Sequence, residues 1–259
     1  MNLARGEWET PARLVGNRSV GGTVPGERSC PAPSACYGRC RSGGFCSSAS
    51  RLVPQILLFR PLERTLVQDE RGRIAYTPGF VDPPTADAWF AELRDGLEWK
   101  AERRRMYDRE VDVPRLTAHF RLDDEDGPSP PSLLYDAADR IASATSSVFF
   151  NSVGLNFYRD GRDSVAPHND HLHELEPGFP IALLSLGSTR RMTIRAKEPP
   201  RRAMNVDLEP GSLLLMSYET QRHYTHGIPK TKDDVGPRIS LAFRMRPATP
   251  SKGRGGFYR

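Results

Sequence analysis

A chain of 259 residues with 37% apolar side chains can bury one core of ordinary size. No apolar run reaches the roughly 20 residues of a membrane helix, so a single folded domain, cytoplasmic and without a membrane span, is expected. The net charge of +5 sits at the ends: residues 1–70 carry 9 Lys/Arg against 6 Asp/Glu, the last twelve residues add 3 cations, and residues 71–247 hold 25 against 26, a balance that permits nucleic-acid contact without selecting it.

Residues 1–70 are rich in Gly, Ser, Arg and Pro and lack apolar periodicity, which predicts a disordered leader. Its Cys30, Cys36, Cys40 and Cys46 lack the paired C-x-x-C spacing of zinc modules and are expected as free thiols. Ordered patterning begins near Ile74. The helix-start signal Asp82-Pro-Pro-Thr85 precedes Ala86, Trp89, Phe90 and Leu93 at i, i+3, i+4 and i+7, which predicts an amphipathic helix. Leu133, Leu134, Ala137, Ala138 and Ile141 predict a second. Beyond residue 147 come β-type runs: Val148–Tyr158, Ile181–Leu186, Met192–Arg195, Met204–Leu208, Ser212–Ser217 and Arg238–Met245. Successive strands without intervening helices predict a mainly β fold with flanking helices, an antiparallel sandwich or jelly roll over residues 71–247. Residues 248–259 read as a flexible basic tail.

The chemical signal with most content is His168-Asn169-Asp170, with His226 56 residues after Asp170. Side chains two apart on an extended segment share a face, so His168 and Asp170 can grip one ion, with His226 arriving from another strand. Two imidazoles and one carboxylate on one face of an octahedral ion leave positions open for cosubstrate and oxygen, the arrangement of non-haem Fe(II) oxygenases. His171, His173 and His223 read as polar surface or pocket lining, and His119 as a packed or surface residue.

Arg238, Ser240, Ala242 and Arg244 alternate with Ile239, Leu241 and Phe243, so two arginines face one side of a strand. Turned inward, they require anions, and a dicarboxylate supplies one at each end; turned outward, they form solvated surface pairs. Asn156 and Tyr158 share a face on the strand just before His168-Asn169-Asp170 and can donate to the same dicarboxylate, although such a pair also suits an ordinary strand.

Taken in order, Pro114-Arg-Leu-Thr117, Asn156-Phe-Tyr158, Asp160-Gly161, His168-Asn-Asp170, Pro180-Ile181, Ser185-Leu-Gly187, Pro210-Gly-Ser-Leu-Leu-Leu-Met216, His226-Gly-Ile-Pro-Lys230 and Arg238-Ile-Ser-Leu-Ala-Phe-Arg244 form a series that resembles the AlkB family of Fe(II)/2-oxoglutarate dioxygenases. The resemblance implies a double-stranded β-helix in which His168, Asp170 and His226 bind Fe(II). It further implies that Arg238 and Arg244 hold opposite carboxylates of 2-oxoglutarate, supported by Asn156 and Tyr158. The implied reaction uses molecular oxygen to hydroxylate a methyl group on a nucleobase nitrogen of alkylated DNA or RNA. The hemiaminal then collapses to formaldehyde and the free base, and the enzyme is expected to act as a monomer.

Three departures stand out: Ser240 and Ala242 replace the family's usual Asn and Thr, Leu172 stands where base-repairing relatives place a carboxylate, and the segment Arg121–Pro131 is acidic through Asp123-Asp-Glu-Asp126. An acidic lid repels phosphate, which keeps open an oxygenase acting on a protein, lipid or small molecule. An inactive nucleic-acid-binding relative is a third reading, opposed by retention of all three ligand positions and both arginines.

Overall fold

The computed structural model describes residues 62–247, apart from residues 107, 108, 125, 126 and 147. Residues 1–61, with the four cysteines, and the tail from residue 248 lie outside this range, as do Glu125 and Asp126 of the acidic segment. The described chain opens with strands β1 (Arg64–Asp69) and β2 (Gly72–Thr77), helix α1 (Pro83–Gly96), the strand pair β3 (Lys100–Met106) and β4 (Arg109–Arg121), and helix α2 (Ser132–Ala144). Then come β5 (Ser152–Tyr158), β6 (Val165–His168), a single 3-10 turn (Leu172–Glu174), β7 (Ile181–Gly187), β8 (Arg190–Ala196), β9 (Ala203–Leu208), β10 (Leu213–Met216), the short helix α3 (Thr220–His223), β11 (Tyr224–Ile228) and β12 (Arg238–Arg244).

Helix α1 begins where the sequence signals it. Asp82 is extended, its Oδ1 accepts the Thr85 backbone N–H at 3.0 Å, and prolines occupy the first turn, where their missing N–H groups have no intrahelical role. Ala86, Trp89 and Leu93 form its buried stripe. Helix α2 buries Leu133, Leu134, Ala137, Ala138 and Ile141, and the Thr145 hydroxyl donates to the Ile141 carbonyl at 2.8 Å at its end.

The strands form two antiparallel sheets, one ordered β1-β2-β10-β7-β12-β5-β4-β3 and the other β6-β11-β8-β9. From β5 onward the chain passes between the sheets at every connection except β8 to β9, which are neighbours, a pattern consistent with a jelly roll. Apolar residues on both faces of β7 and β12 create three layers. Ala182, Leu184, Leu186, Ile239, Leu241 and Phe243 pack in the core that includes the helices, while Ile181, Leu183 and Ala242 pack with Met192, Ile194, Val206, Leu208 and Ile228 of the smaller sheet. Each fully buried aliphatic side chain contributes about 1.5 to 3 kcal/mol against exposure, so this double-sided burial fixes strand register.

Several expectations change. The segment expected to be leader extends too far, because Arg64–Asp69 is strand β1, paired with β2 from Arg64 opposite Tyr76. Six residues with one buried side chain, Val67, are too short for periodicity to reveal, and pairing supplies the order. The strand expected from Val148 begins at Ser152. The charged run Lys100–Met106 is extended because it pairs with β4 at the sheet edge, where Lys100 and Arg103 are exposed.

Candidate active site

Strand pairing assembles the site. β6 pairs with β11 so that His168 stands opposite His226, and their imidazole centroids lie 4.5 Å apart. Asp170 lies two residues beyond the end of β6. Its backbone N–H donates to Oε1 of buried Gln221 at 3.0 Å. Its carboxylate is gripped by Arg244, with Nε to Oδ2 at 3.0 Å and Nη2 to Oδ1 at 2.9 Å. A buried carboxylate needs a countercharge, and Arg244 provides one in fork geometry. Among the described residues no three His, Cys, Asp or Glu side chains gather closely enough to hold an ion: the imidazoles meet, and the carboxylate stands beside them on its arginine.

Electrostatics favours the ligand forms of all three groups. Burial pushes His226 down to about 3, with His168 adding to the effect, so it is a neutral imidazole near neutral pH. Burial also lowers His168. For Asp170 burial opposes ionisation, but the charge and hydrogen bonds of Arg244 lead the opposing influences and the carboxyl is held below the usual range. The donor set, two neutral nitrogens and one ionised oxygen, fits Fe(II) in chemistry.

Beside the imidazoles lies a cleft that is partly open to solvent. His168 and His226 stand in its wall with Arg115, Arg238 and Arg244, and among the described residues no acidic side chain lines it. Asn156, Tyr158, Ser240 and Ala242 line it as the alternation predicts, and Ser240 is in register with both Asn156 and Ser185. Arg238 is 1% exposed; its Nη2 donates to Ser185 Oγ at 2.7 Å, whereas its buried Nε and Nη1 have no hydrogen-bond partner among the described residues. The arginines therefore face inward, and the surface-pair alternative is excluded.

The remaining histidines lie elsewhere. His171 and His173 adjoin one another at the 3-10 turn with centroids 5.4 Å apart, His223 ends α3, and His119 is exposed on β4 opposite Gly154. The sequence reading missed Arg115, which is buried and donates through Nε to Asn156 Oδ1 at 2.6 Å, turning the Asn156 amide oxygen away from other donors. It also missed Ser185 and Gln221, which hold Arg238 and the Asp170 backbone. Arg115 and Ser185 had a signal, their places in the motif series at Pro114-Arg-Leu-Thr117 and Ser185-Leu-Gly187, whereas Gln221 had none.

The sequence matches the 2OG-Fe(II) oxygenase superfamily over residues 73–244. It is 35% identical over 189 residues to alpha-ketoglutarate-dependent dioxygenase alkB homolog 3 of Mus musculus, covering 67% of this chain and 66% of that protein. It is 40% identical over 119 residues to DNA oxidative demethylase ALKBH2 of Mus musculus, covering 43% of this chain and 49% of the relative. The chain thus spans 66% of the alkB homolog 3 protein. In fold it is similar to the crystal structure of the non-heme alpha ketoglutarate dependent epimerase SnoN from nogalamycin biosynthesis, with a TM-score of 0.50 and 16% identity over 72% of this chain and 85% of the other. With the facing histidines and the arginine-lined cleft on one sandwich, the chain belongs to the 2OG-Fe(II) oxygenase superfamily, on its AlkB-like side.

Proposed function

We propose that this protein is an Fe(II)- and 2-oxoglutarate-dependent dioxygenase that oxidatively demethylates alkylated bases in DNA or RNA. The observation that carries the cosubstrate reading is Arg238, a fully buried cation with two nitrogens unpartnered among the described residues, in a cleft where those residues supply two further arginines and no lining carboxylate. Such a cation is costly unless an anion meets it, and a dicarboxylate brings two. Arg238 receives one carboxylate with Ser185 behind it, Tyr158 and Ser240 flank it, and Asn156 is oriented by Arg115. Arg244 has a double task, holding Asp170 while it faces the cleft. His168, His226 and Asp170 would hold the iron, which supplies activation of molecular oxygen against a bound methyl group. In this reading strands β5 to β12 form a double-stranded β-helix, and the enzyme works as a cytoplasmic monomer. The nucleobase part of the reading rests on similarity to the demethylase and to alkB homolog 3.

A second reading keeps the oxygenase chemistry and changes the substrate to a protein, lipid or small molecule. Leu172 and the acidic residues after Arg121 favour it, although Asp123 is partly neutralised by Arg121 at 2.8 Å. The deciding experiment incubates anaerobically iron-loaded protein with 2-oxoglutarate and a panel of methylated oligonucleotides, then admits oxygen and measures succinate and formaldehyde. Matched release of both supports base demethylation. Succinate without formaldehyde from any oligonucleotide supports the second reading.

A further inference from the structure

Arg190 lies outside the cleft's lining and is 3% exposed, yet among the described residues no carboxylate accepts a hydrogen bond from it. Its guanidinium is satisfied by three main-chain oxygens: Nη1 donates to the Asp160 carbonyl at 2.9 Å, and Nη2 donates to those of Asp163 at 2.9 Å and Pro229 at 2.8 Å. Asp163, which could neutralise it, is instead bound by Arg159 at 2.8 and 2.9 Å. The positive charge of Arg190 is therefore retained inside the sandwich. The guanidinium carbon lies 5.7 Å from the Tyr158 ring centroid, and that of Arg238 lies 5.2 Å from the same ring.

We infer that Arg190 is a positioning residue for the Arg238 end of the cosubstrate cleft, fixing Tyr158 beside Arg238 and adding a second positive charge behind it, so that the cleft selects a 2-oxo acid with a second carboxylate. The inference rests on the 2-oxoglutarate reading above. Arg190 begins β8 in the smaller sheet, whereas Tyr158 ends β5 in the larger one, so this contact joins the sheets at the end of the cleft. The three carbonyls belong to the turn that follows Tyr158 and leads into β6 and to the residue that follows β11. One planar fork thus holds the turn after a cleft residue and the ends of the two strands that carry His168 and His226. Lysine keeps the charge but cannot reach three acceptors in fork geometry. Two guanidiniums beside one aromatic ring repel each other, and a carboxylate at Arg238 relieves that repulsion.

The test compares the parent chain with Arg190→Met and Arg190→Lys, each loaded with Mn(II) and checked for native circular dichroism. Calorimetry gives dissociation constants for 2-oxoglutarate and for 2-oxopentanoate, which has the same carbon chain and a methyl group in place of the distal carboxylate. The expected result for Arg190→Met is about a tenfold loss of affinity for 2-oxoglutarate, with 2-oxopentanoate changed less than about twofold. Arg190→Lys should lose about threefold for 2-oxoglutarate and keep most of the selectivity, and it carries the test if the methionine variant does not fold. Equal losses for both acids in either folded variant would mean that Arg190 merely supports the fold, and unchanged affinities would mean that it has no influence on the cleft; each outcome overturns the inference while the cosubstrate reading stands. A parent chain that binds neither acid would overturn both.

Discussion

The two arginines of β12, alike in sequence, differ in what they do for the protein. Arg238 is buried with two unpartnered nitrogens, so its presence weakens the fold and serves binding. Arg238→Met should therefore reduce 2-oxoglutarate affinity by about tenfold or more, since charge-assisted hydrogen bonds contribute roughly 1.5 to 3 kcal/mol, while the melting temperature without cosubstrate stays level or rises. Calorimetry and thermal unfolding of the same preparations check both halves, and a clear drop in melting temperature would contradict the account. Arg244→Ala is expected to do the opposite to stability: it leaves Asp170 buried without its partner, at a cost of about 3 kcal/mol read by urea unfolding. In the nucleobase reading, Leu172 would offer only contact where base-repairing relatives place a carboxylate that accepts from an exocyclic amine, a difference of roughly 1 to 3 kcal/mol. Leu172→Glu should accordingly raise turnover on methylated adenine and cytosine relative to methylated thymine and guanine in matched single-stranded oligonucleotides; an unchanged ratio would place base selection on another residue.

Elements carry the site through their ends. Asp82→Ala removes the side-chain cap of α1 and should cost about 1 kcal/mol at neutral pH. The Thr85 backbone hydrogen bond, the largest influence on Asp82, lowers its pKa in the folded protein. The cap's contribution is thus present above the unfolded carboxyl pKa of about 3.9 and is lost as pH falls through the lower native value. Urea midpoints of parent and variant should converge in that acid range. The turn before β10 is stricter. Gly211 has φ +71°, its carbonyl accepts from Val81 N and its N–H donates to Ser185 O, and a Cβ there would stand 2.2 Å from the Val81 carbonyl oxygen. Gly211→Ala should cost about 3 kcal/mol or more in urea unfolding and should also weaken 2-oxoglutarate binding, because Ser185 holds Arg238.

At the scale of the whole molecule, the cleft has walls from both sheets: Asn156, Tyr158, Arg238 and Arg244 from the larger, His168, His226 and Met192 from the smaller. A ligand held there requires both sheets to be in place and so binds only the folded state. At a 2-oxoglutarate concentration about a hundredfold above its Kd, linkage adds about 2.7 kcal/mol, which in a domain of this size raises the melting temperature by about 5 to 10 °C. The shift should fall to about half or less in Arg238→Met at the same concentration, and a parent chain with no shift at saturation would remove 2-oxoglutarate from the cleft. No helix among the described residues is long and apolar enough to cross a membrane, and the apolar surface is used internally in the two cores on either side of the large sheet.

What the amino-acid sequence determined by itself is local and periodic. The Asp82 cap, the buried stripes of α1 and α2, and the alternation on β12 could all be read because side chains leave a helix or strand at fixed intervals and burial selects one face. The ordered motif series located the candidate site for the same reason, since short spacings are properties of chain geometry. Tertiary structure alone decided which charges meet: Arg244 with Asp170 across 74 residues, Arg115 with Asn156 across 41, and Arg190 with carbonyls 27 to 39 residues away. It also decided that Arg238 would be left with unpartnered nitrogens and that Arg64–Asp69 would be a strand. Ion pairs, carbonyl clamps and edge pairing depend on distance through space after the sheets have closed, and they leave no period along the chain from which to infer them.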